Sequence, residues 1–376
     1  MKIGILQTAF SPAGADPGAV LETWIANALE AERLGYWSCW TTEHHFGSDP
    51  DYQPFGVSSD DYTLTDYDLV ADPLTLLSHV AARTTTLRLG TAVAVLPWDH
   101  PIRVAERAAM VDVLSGGRLE LGVSRGIGFR ETRVFDVPVD PATNNRKYHE
   151  AIEIIRTAWS GDEFEFHGEF FDLPPLRLRP RSPRQPAPLW VGSGSRDSAV
   201  WAGEHGLPYA TTTWPITHME EYAAKLAAFR EAAAGAGHDV SGMLLPHFLF
   251  MYCGESDAES EETGYQYMTR YQYILESHYE WQRAHAENAV DSRGSDIRSN
   301  IEQLAAFPVA HHLIGTAKTC AERIDAYRSD FDLNYLVAVV GWGNMPRERM
   351  LSSLRRFARE VLPQFTTPTP ALATSS

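Results

Sequence analysis

Tyr36-Trp37-Ser38-Cys39-Trp40-Thr41-Thr42-Glu43-His44-His45-Phe46 is an apolar run that turns abruptly into one acid and two imidazoles. A strand buried on both faces reads as a nearly continuous apolar segment. In parallel α/β folds the chemistry leaves from the C-terminal ends of such strands. The stretch therefore predicts a buried parallel strand over residues 37–42 that opens onto a site at Glu43, His44 and His45. The same three residues in the middle of a helix would read as surface.

Working outward, apolar β-branched runs recur at residues 2–8, 87–96, 119–123, 189–191, 209–213, 244–252 and 333–340. Helical spacing fills the intervals at about 18–34, 72–83, 101–114, 144–160, 196–205, 218–234, 317–328 and 346–361. Eight β/α pairs select an α/β fold of the (β/α)8 TIM-barrel type over an open doubly wound sheet. Two segments stand outside the count: an Asp- and Tyr-rich stretch, 47–70, after the second strand, and a Glu-, Tyr- and His-rich stretch, 254–312, after the seventh. Both leave from C-terminal strand ends, so they are expected to form lids over the mouth. One domain is expected over residues 1–365, followed by a disordered Thr-, Pro-, Ala- and Ser-rich tail, 366–376.

Composition agrees with a single large core: 376 residues, 44% hydrophobic and 22% charged. No apolar run approaches the ~20 residues that a bilayer span requires. A formal net charge of -17 argues against nucleic-acid or anionic-membrane partners, both of which need clustered Lys and Arg. Met1 to Phe10 reads as a first strand and not as a signal peptide. Cys39, Cys253 and Cys320 are odd in number and widely spaced, as expected of reduced thiols in a cytoplasmic protein.

The strand ends converge in chemistry. They carry Gln7-Thr8, then Glu43-His44-His45, Trp98-Asp99-His100, Ser124-Arg125-Gly126, Gly192-Ser193-Gly194-Ser195 and Thr211-Thr212-Thr213-Trp214. The Gly192 to Ser195 loop opens a helix, and free N–H groups at a helix start favour an anion. A capping serine in an ordinary turn is the alternative. Arg125 sits directly behind an apolar strand and is followed by Gly126, which aims it into the mouth; Arg146, beside Asn144 and Asn145, supplies a second cation. One phosphate held in this way suits a mononucleotide, and no Lys-Ser/Thr follows the glycines as a Walker loop would need. His44 and His45 point to opposite sides if they continue the strand, so only one reaches the substrate directly. A metal site completed by Asp99 and His100, or a pair of core-bonded histidines, are the competing readings. His79, His149, His205 and Trp159 fall at helical spacings that suit packing and are set aside.

Glu43-His44-His45-Phe46, the block Leu89-Gly90-Thr91-Ala92-Val93 through Leu96-Pro97 to His100-Pro101, and Asp112-Val113-Leu114-Ser115-Gly116-Gly117-Arg118 leading to Gly122-Val123-Ser124-Arg125-Gly126 resemble the bacterial luciferase-like flavin monooxygenases. So do Asn144-Asn145-Arg146, the run from Trp201-Ala202-Gly203 to Gly206-Leu207-Pro208, and Gly315-Thr316, in order along nearly the whole chain. The resemblance implies a (β/α)8 barrel that binds reduced FMN delivered by a separate flavin reductase. Dioxygen adding at flavin C4a would give a peroxyflavin that oxygenates a small organic substrate such as an aldehyde, ketone or natural-product intermediate.

By matched position, His44 is implied as the catalytic base beside the ring, with His45 next to it, and Glu43 helps fix the cofactor. Arg125, Arg146 and the Ser193-Gly194-Ser195 turn would hold the phosphate, and a non-prolyl cis Ala92–Val93 peptide would lie under the ring. A homodimer is also implied. The chain departs from the luciferases at Ser124, where their catalytic subunit has a reactive Cys, and in the longer segment 47–70. A deazaflavin-dependent oxidoreductase transferring hydride on the same fold is the nearest alternative. A non-catalytic flavin-binding protein or luciferase-type regulatory subunit is the second.

Overall fold

The computed structural model describes residues 1–12, 15–46, 65–66, 69–126, 131, 134–138, 140–184, 188–192, 194–212, 219–284 and 309–366. Along them run β1 (Lys2–Gln7), α1 (Pro17–Arg33), β2 (Ser38–Thr41), α2 (Pro73–Ala81), β3 (Arg88–Val95), α3 (Pro101–Leu114), β4 (Leu119–Ser124) and α4 (Pro141–Ser160). There follow β5 (Leu189–Gly192), α5 (Arg196–Glu204), β6 (Tyr209–Thr212), α6 (Met219–Gly235), β7 (Pro246–Cys253), α7 (Asp257–Ala284), α8 (Ala317–Phe331), β8 (Tyr335–Val340) and α9 (Arg347–Glu360). The eight expected strands are all present, each within two residues of the limits read from the sequence at either end.

Consecutive strands pair in parallel from β1 to β8, and β8 pairs with β1. The result is a curled parallel sheet wrapped by helices, to which the short strand Leu313–Gly315 adds itself beside the end of β7. Helix starts are written into the sequence as an acid followed by proline. Asp16, Asp72 and Asp140 accept backbone N–H groups from Ala19, Leu74 and Thr143 at 2.9, 3.0 and 2.8 Å, and Pro17, Pro73 and Pro141 take the first helical position.

Inside the curl, Trp40 is the central plug. Its ring meets Trp190, Phe248 and Tyr335 at centroid distances of 6.2, 5.7 and 6.1 Å, and its N–H donates to the Tyr335 hydroxyl at 2.7 Å. Aromatic contacts of this kind are worth about 0.5–1.5 kcal/mol each beyond the area they bury. Gly90 is what admits the indole: a Cβ there would lie 2.1 Å from Trp40 Cδ2. Below it, buried Glu120 is held by Arg88, by Arg184 at 3.5 Å and by the Trp190 N–H at 2.6 Å.

The two segments outside the β/α count fare differently. Residues 47–64 lie outside the described residues; of the return, Thr65–Asp66 pairs with Ser11–Pro12, and the Leu69 N–H donates to the Ala9 carbonyl at 3.2 Å. In the second segment, Asp257–Ala284 is one helix of 28 residues that packs against the turn after β8. Gly343 in that turn, at φ +63°, comes so close that a Cβ would meet the Tyr267 carbonyl oxygen at 2.0 Å. The tail beyond Thr366 is outside the described residues. Missing from the sequence reading were the antiparallel pair Phe164–His167 with Asp172–Leu176 and the strand Leu313–Gly315. Pro174 and Pro175 hide the first, because proline argues against a strand, and three residues are too few to announce the second.

The three cysteines are free and buried, and burial pushes the Cys39 thiol up to about 12. No helix among the described residues is long and apolar enough to cross a membrane.

Candidate functional site

Sheet register brings the ends of β2 to β5 onto one edge. Thr41 lies opposite Thr91, Val95 opposite Ser124, and Val123 opposite Val191. The residues that follow, from Glu43, Leu96, Arg125 and Gly192 onward, therefore leave the sheet side by side. The β3–β4 register shifts between Thr91 and Ala94, and the Ala92–Val93 peptide between them is cis.

Glu43 organises the β2–β3 half of this edge. One carboxylate oxygen accepts the Val95 N–H at 2.9 Å and the other meets His45 Nε2 at 3.1 Å. Burial pushes the Glu43 carboxyl above the ordinary carboxylate value, against the downward pull of His45 and of the Val95 N–H. The His45 ring sits edge-on to Trp98 and Phe135, at centroid distances of 5.3 and 4.9 Å, and Phe46 stacks on Phe135 at 5.6 Å. A cavity of about 180 Å3 opens here, lined by Glu43, His45, Val95, Trp98 and Phe135 and, on its far side, by Asp72, Asp99 and Arg107. Two larger open grooves among the described residues, at Arg179–Pro183 and along Arg347–Arg359, share no lining residue with it. His44 is half-buried and is fastened by its backbone N–H to the Val70 carbonyl at 3.0 Å. His45 is thus the imidazole that Glu43 holds in the cavity, and His44 is not among the cavity's lining residues.

The β4–β5 half carries the cations. Arg125 donates to the Pro141 carbonyl at 3.2 Å, which ties it to the first turn of α4, and Ser124 Oγ accepts the Gly126 N–H at 3.1 Å. Tyr148 of α4 donates to the Val123 carbonyl at 3.2 Å, a second tie to the end of β4. Asn144 Oδ1, in the first turn of α4, is buried without a hydrogen-bond partner. Ser195 caps α5 by accepting the Ser198 N–H at 3.2 Å, so the capping alternative describes its present contacts. Ser193 lies outside the described residues, while Gly194 is placed beside Ser195. Arg146 is exposed, and its guanidinium binds both oxygens of Glu169 at 2.9 Å, on a hairpin that the sequence reading did not contain.

The sequence profile of the luciferase-like monooxygenases matches residues 1–332. The chain belongs to that family. It is 27% identical to the oxygenase component of a flavin-dependent trigonelline monooxygenase from Acinetobacter baylyi, over 89% of this chain and 87% of that one. It is also 27% identical to the 4-hydroxyprotoasukamycin monooxygenase of Streptomyces nodosus subsp. asukaensis, over 97% and 92% of the two chains. The crystal structure of a monooxygenase from Streptomyces bottropensis superposes with a TM-score of 0.77 at 25% identity, covering 97% of this chain and all of the other.

As a member of the luciferase-like monooxygenases the chain is an enzyme, and its residues can be tested against a flavin mononucleotide. A guanidinium, a serine hydroxyl and the start of a helix stand on neighbouring strand ends, a donor set that suits one phosphate. The residues fit the group. A metal fits less well: Asp99 is bound to Arg107, and His100 caps α3 through Nδ1 with its ring against Phe171. Among the described residues no group of three or more His, Cys, Asp or Glu side chains is gathered as a metal would need.

Sequence reasoning missed Phe135, the Val95 N–H and the pairing of Arg107 with both Asp72 and Asp99. Phe135, the Val95 N–H and Asp72 have no local signal, since their partners lie distant along the chain. Gln7, read as part of the mouth, instead turns toward α1, donating to the Trp24 carbonyl at 2.9 Å and accepting from Asn27 at 3.2 Å.

Proposed function

We propose that this enzyme oxygenates a small organic substrate, an aldehyde, ketone or natural-product intermediate, using dioxygen and reduced FMN supplied by a separate flavin reductase. The observation that carries the reading is the Glu43–Val95 contact, which joins the acid after β2 to the strand holding the cis Ala92–Val93 peptide, one strand away from Arg125. When bound, the flavin supplies the oxygen-activating chemistry. The chain's part is to hold, orient and shield it. Ala92, Val93 and Ser124 would hold the ring, while Arg125, Arg146, Gly194 and Ser195 would hold the phosphate, together with Ser193, which lies outside the described residues.

His44 is the proposed base, since an imidazole can both take up and return a proton at its ring nitrogens. His45, with Glu43, sets the wall next to it. Kinship to an oxygenase component supports the separate reductase.

The ring of pairings from β1 through β8 and back supports a (β/α)8 barrel within one domain over residues 1–365. Of the two segments expected as lids, 47–64 and 285–308 lie outside the described residues; the packing of α7 on the turn after β8 supports a water-excluding role for that helix. Buried free thiols support a cytoplasmic setting. The exposed apolar residues Met110, Val113 and Leu114 on α3 support a homodimer.

Oxygen uptake by the protein with reduced FMN and a panel of aldehydes and ketones tests the reaction. Substrate turnover with reduced deazaflavin in the absence of oxygen would replace it with hydride transfer. His44→Ala should abolish oxygenation while FMN still binds; full turnover by that variant refutes the base assignment.

A further inference from the structure

Two histidines set aside in the sequence as ordinary packing, His149 and His205, form a continuous pile with Trp201 between α4 and α5. His149 stacks on Trp201 at a centroid distance of 4.0 Å and 7° between planes, and Trp201 stacks on His205 at 4.1 Å and 24°. The outer end is fixed by a contact of His205 Nδ1 with the Trp201 carbonyl at 2.8 Å. The pile is half-buried.

Its place in the fold matters more than its geometry. The cations and helix start proposed for the phosphate belong to three different elements. Arg125 ends β4, and its guanidinium is held by the carbonyl of Pro141, the first residue of α4. Ser195 caps α5, and Trp201 follows six residues later, about 9 Å along the helix. His149 lies three residues after Arg146 and next to Tyr148, the residue that binds α4 to the end of β4. Burial, then His205 and then Arg125 oppose protonation of His149, which is pulled down to about 4 and stays neutral at physiological pH. A neutral ring can lie flat on an indole beside a guanidinium without adding a second positive charge to the α4–α5 seam.

We infer that the His149–Trp201–His205 pile is a positioning device for the cofactor phosphate, setting the spacing of α4 against α5 so that Arg125 and the start of α5 close on the same anion. The inference rests on the flavin mononucleotide reading and adds residues that touch neither cofactor nor substrate. A spacing device of this kind acts on the phosphate end alone, which separates it from a general packing role.

The test compares FMN with riboflavin, which lacks the phosphate, by fluorescence titration of the full-length protein. His149→Ala should weaken FMN binding about tenfold through loss of stacking, while riboflavin affinity stays within about twofold. His149→Phe, which restores a flat ring, should return FMN affinity to within about threefold of the unaltered protein. His205→Ala, at the outer end, is the gentler variant and should weaken FMN by about threefold without touching riboflavin. Equal losses for both ligands, no loss for either, or no recovery with Phe would overturn the positioning role while leaving the flavin reading intact. Failure of the unaltered protein to bind FMN would remove the flavin reading and this inference with it.

Discussion

Glu43 accepts the Val95 backbone N–H at 2.9 Å, fastening the loop after β2 to the strand that carries the cis Ala92–Val93 peptide. Val95 is buried, so deleting the carboxylate strands an amide hydrogen away from water, at a cost of about 1–3 kcal/mol. Charge and contact can be separated here. Glu43→Gln keeps an oxygen for Val95 and should retain FMN affinity to within about threefold, whereas Glu43→Ala should lose about tenfold. Titration with FMN reads both, and equal losses would show that the negative charge, not the contact, is what matters.

Arg125 and Arg146 should prove unequal. Arg125 is tied to α4 at the strand end, whereas Arg146 is solvent-exposed and must leave Glu169 before it can serve an anion. Exposed pairs of that kind are worth about 0–1 kcal/mol, so the exchange is cheap and the gain small. Arg125→Ala should raise the FMN dissociation constant by about ten- to a hundredfold, and Arg146→Ala by less than about threefold. Isothermal titration calorimetry decides; the reverse order would return the main phosphate role to Arg146.

The contrast between these two arginines marks how far the sequence can be read. Strand ends were legible because apolar runs stop at polar residues, and register then does the rest: once β3, β4 and β5 pair in parallel, Ala92, Arg125 and Ser195 must be neighbours. Helix starts were legible in the same local way, as acid-proline pairs. Partners distant in sequence left no trace. Nothing near Arg146 announces Glu169, and nothing near His149 announces Trp201, because both pairs depend on how two helices or a hairpin pack side by side. Periodicity correctly placed His149 on a helix but could not say what its ring would meet.

Buried histidines give the fold a predictable acid sensitivity. His247, in contact with the Tyr222 hydroxyl between β7 and α6, is pushed down to about 3, chiefly by burial and then by Arg230. His312 is pushed down to about 3 as well. Unfolded histidine titrates near 6.5, so between about 6.5 and 3 the unfolded chain binds a proton that the folded chain refuses. Each such contribution is complete above about pH 6.5 and falls by about 1.4 kcal/mol per pH unit as the solution is acidified. His247→Asn keeps an acceptor for Tyr222 but cannot titrate. Urea unfolding at pH 5, 6 and 7 should show a pH slope smaller by about 1.4 kcal/mol per unit in that variant; an unchanged slope would mean that His247 is already charged or hydrated in the native state.

Arg118 closes the run Asp112-Val113-Leu114-Ser115-Gly116-Gly117-Arg118, one of the blocks that resemble the family, yet its contacts are structural. Its guanidinium donates to the carbonyls of Ser115 at 2.6 Å, Leu87 at 2.8 Å, Ala81 at 2.9 Å and Thr84 at 3.0 Å, and to the Thr84 hydroxyl at 2.8 Å. It thereby satisfies the end of α2, the start of β3 and the turn after α3 at once, while Asp112 accepts the Leu119 N–H at 3.0 Å. A lysine ammonium has three donors on one nitrogen and cannot reach this spread of acceptors. Arg118→Lys should therefore leave at least two buried carbonyls unmet and cost about 2–4 kcal/mol of stability. FMN affinity should be unaltered in the molecules that stay folded, since no contact of Arg118 reaches the edge formed by β2 to β5. Denaturant unfolding and FMN titration on the same preparation check both halves, and a variant of full stability with impaired FMN binding would move Arg118 from the framework to the site.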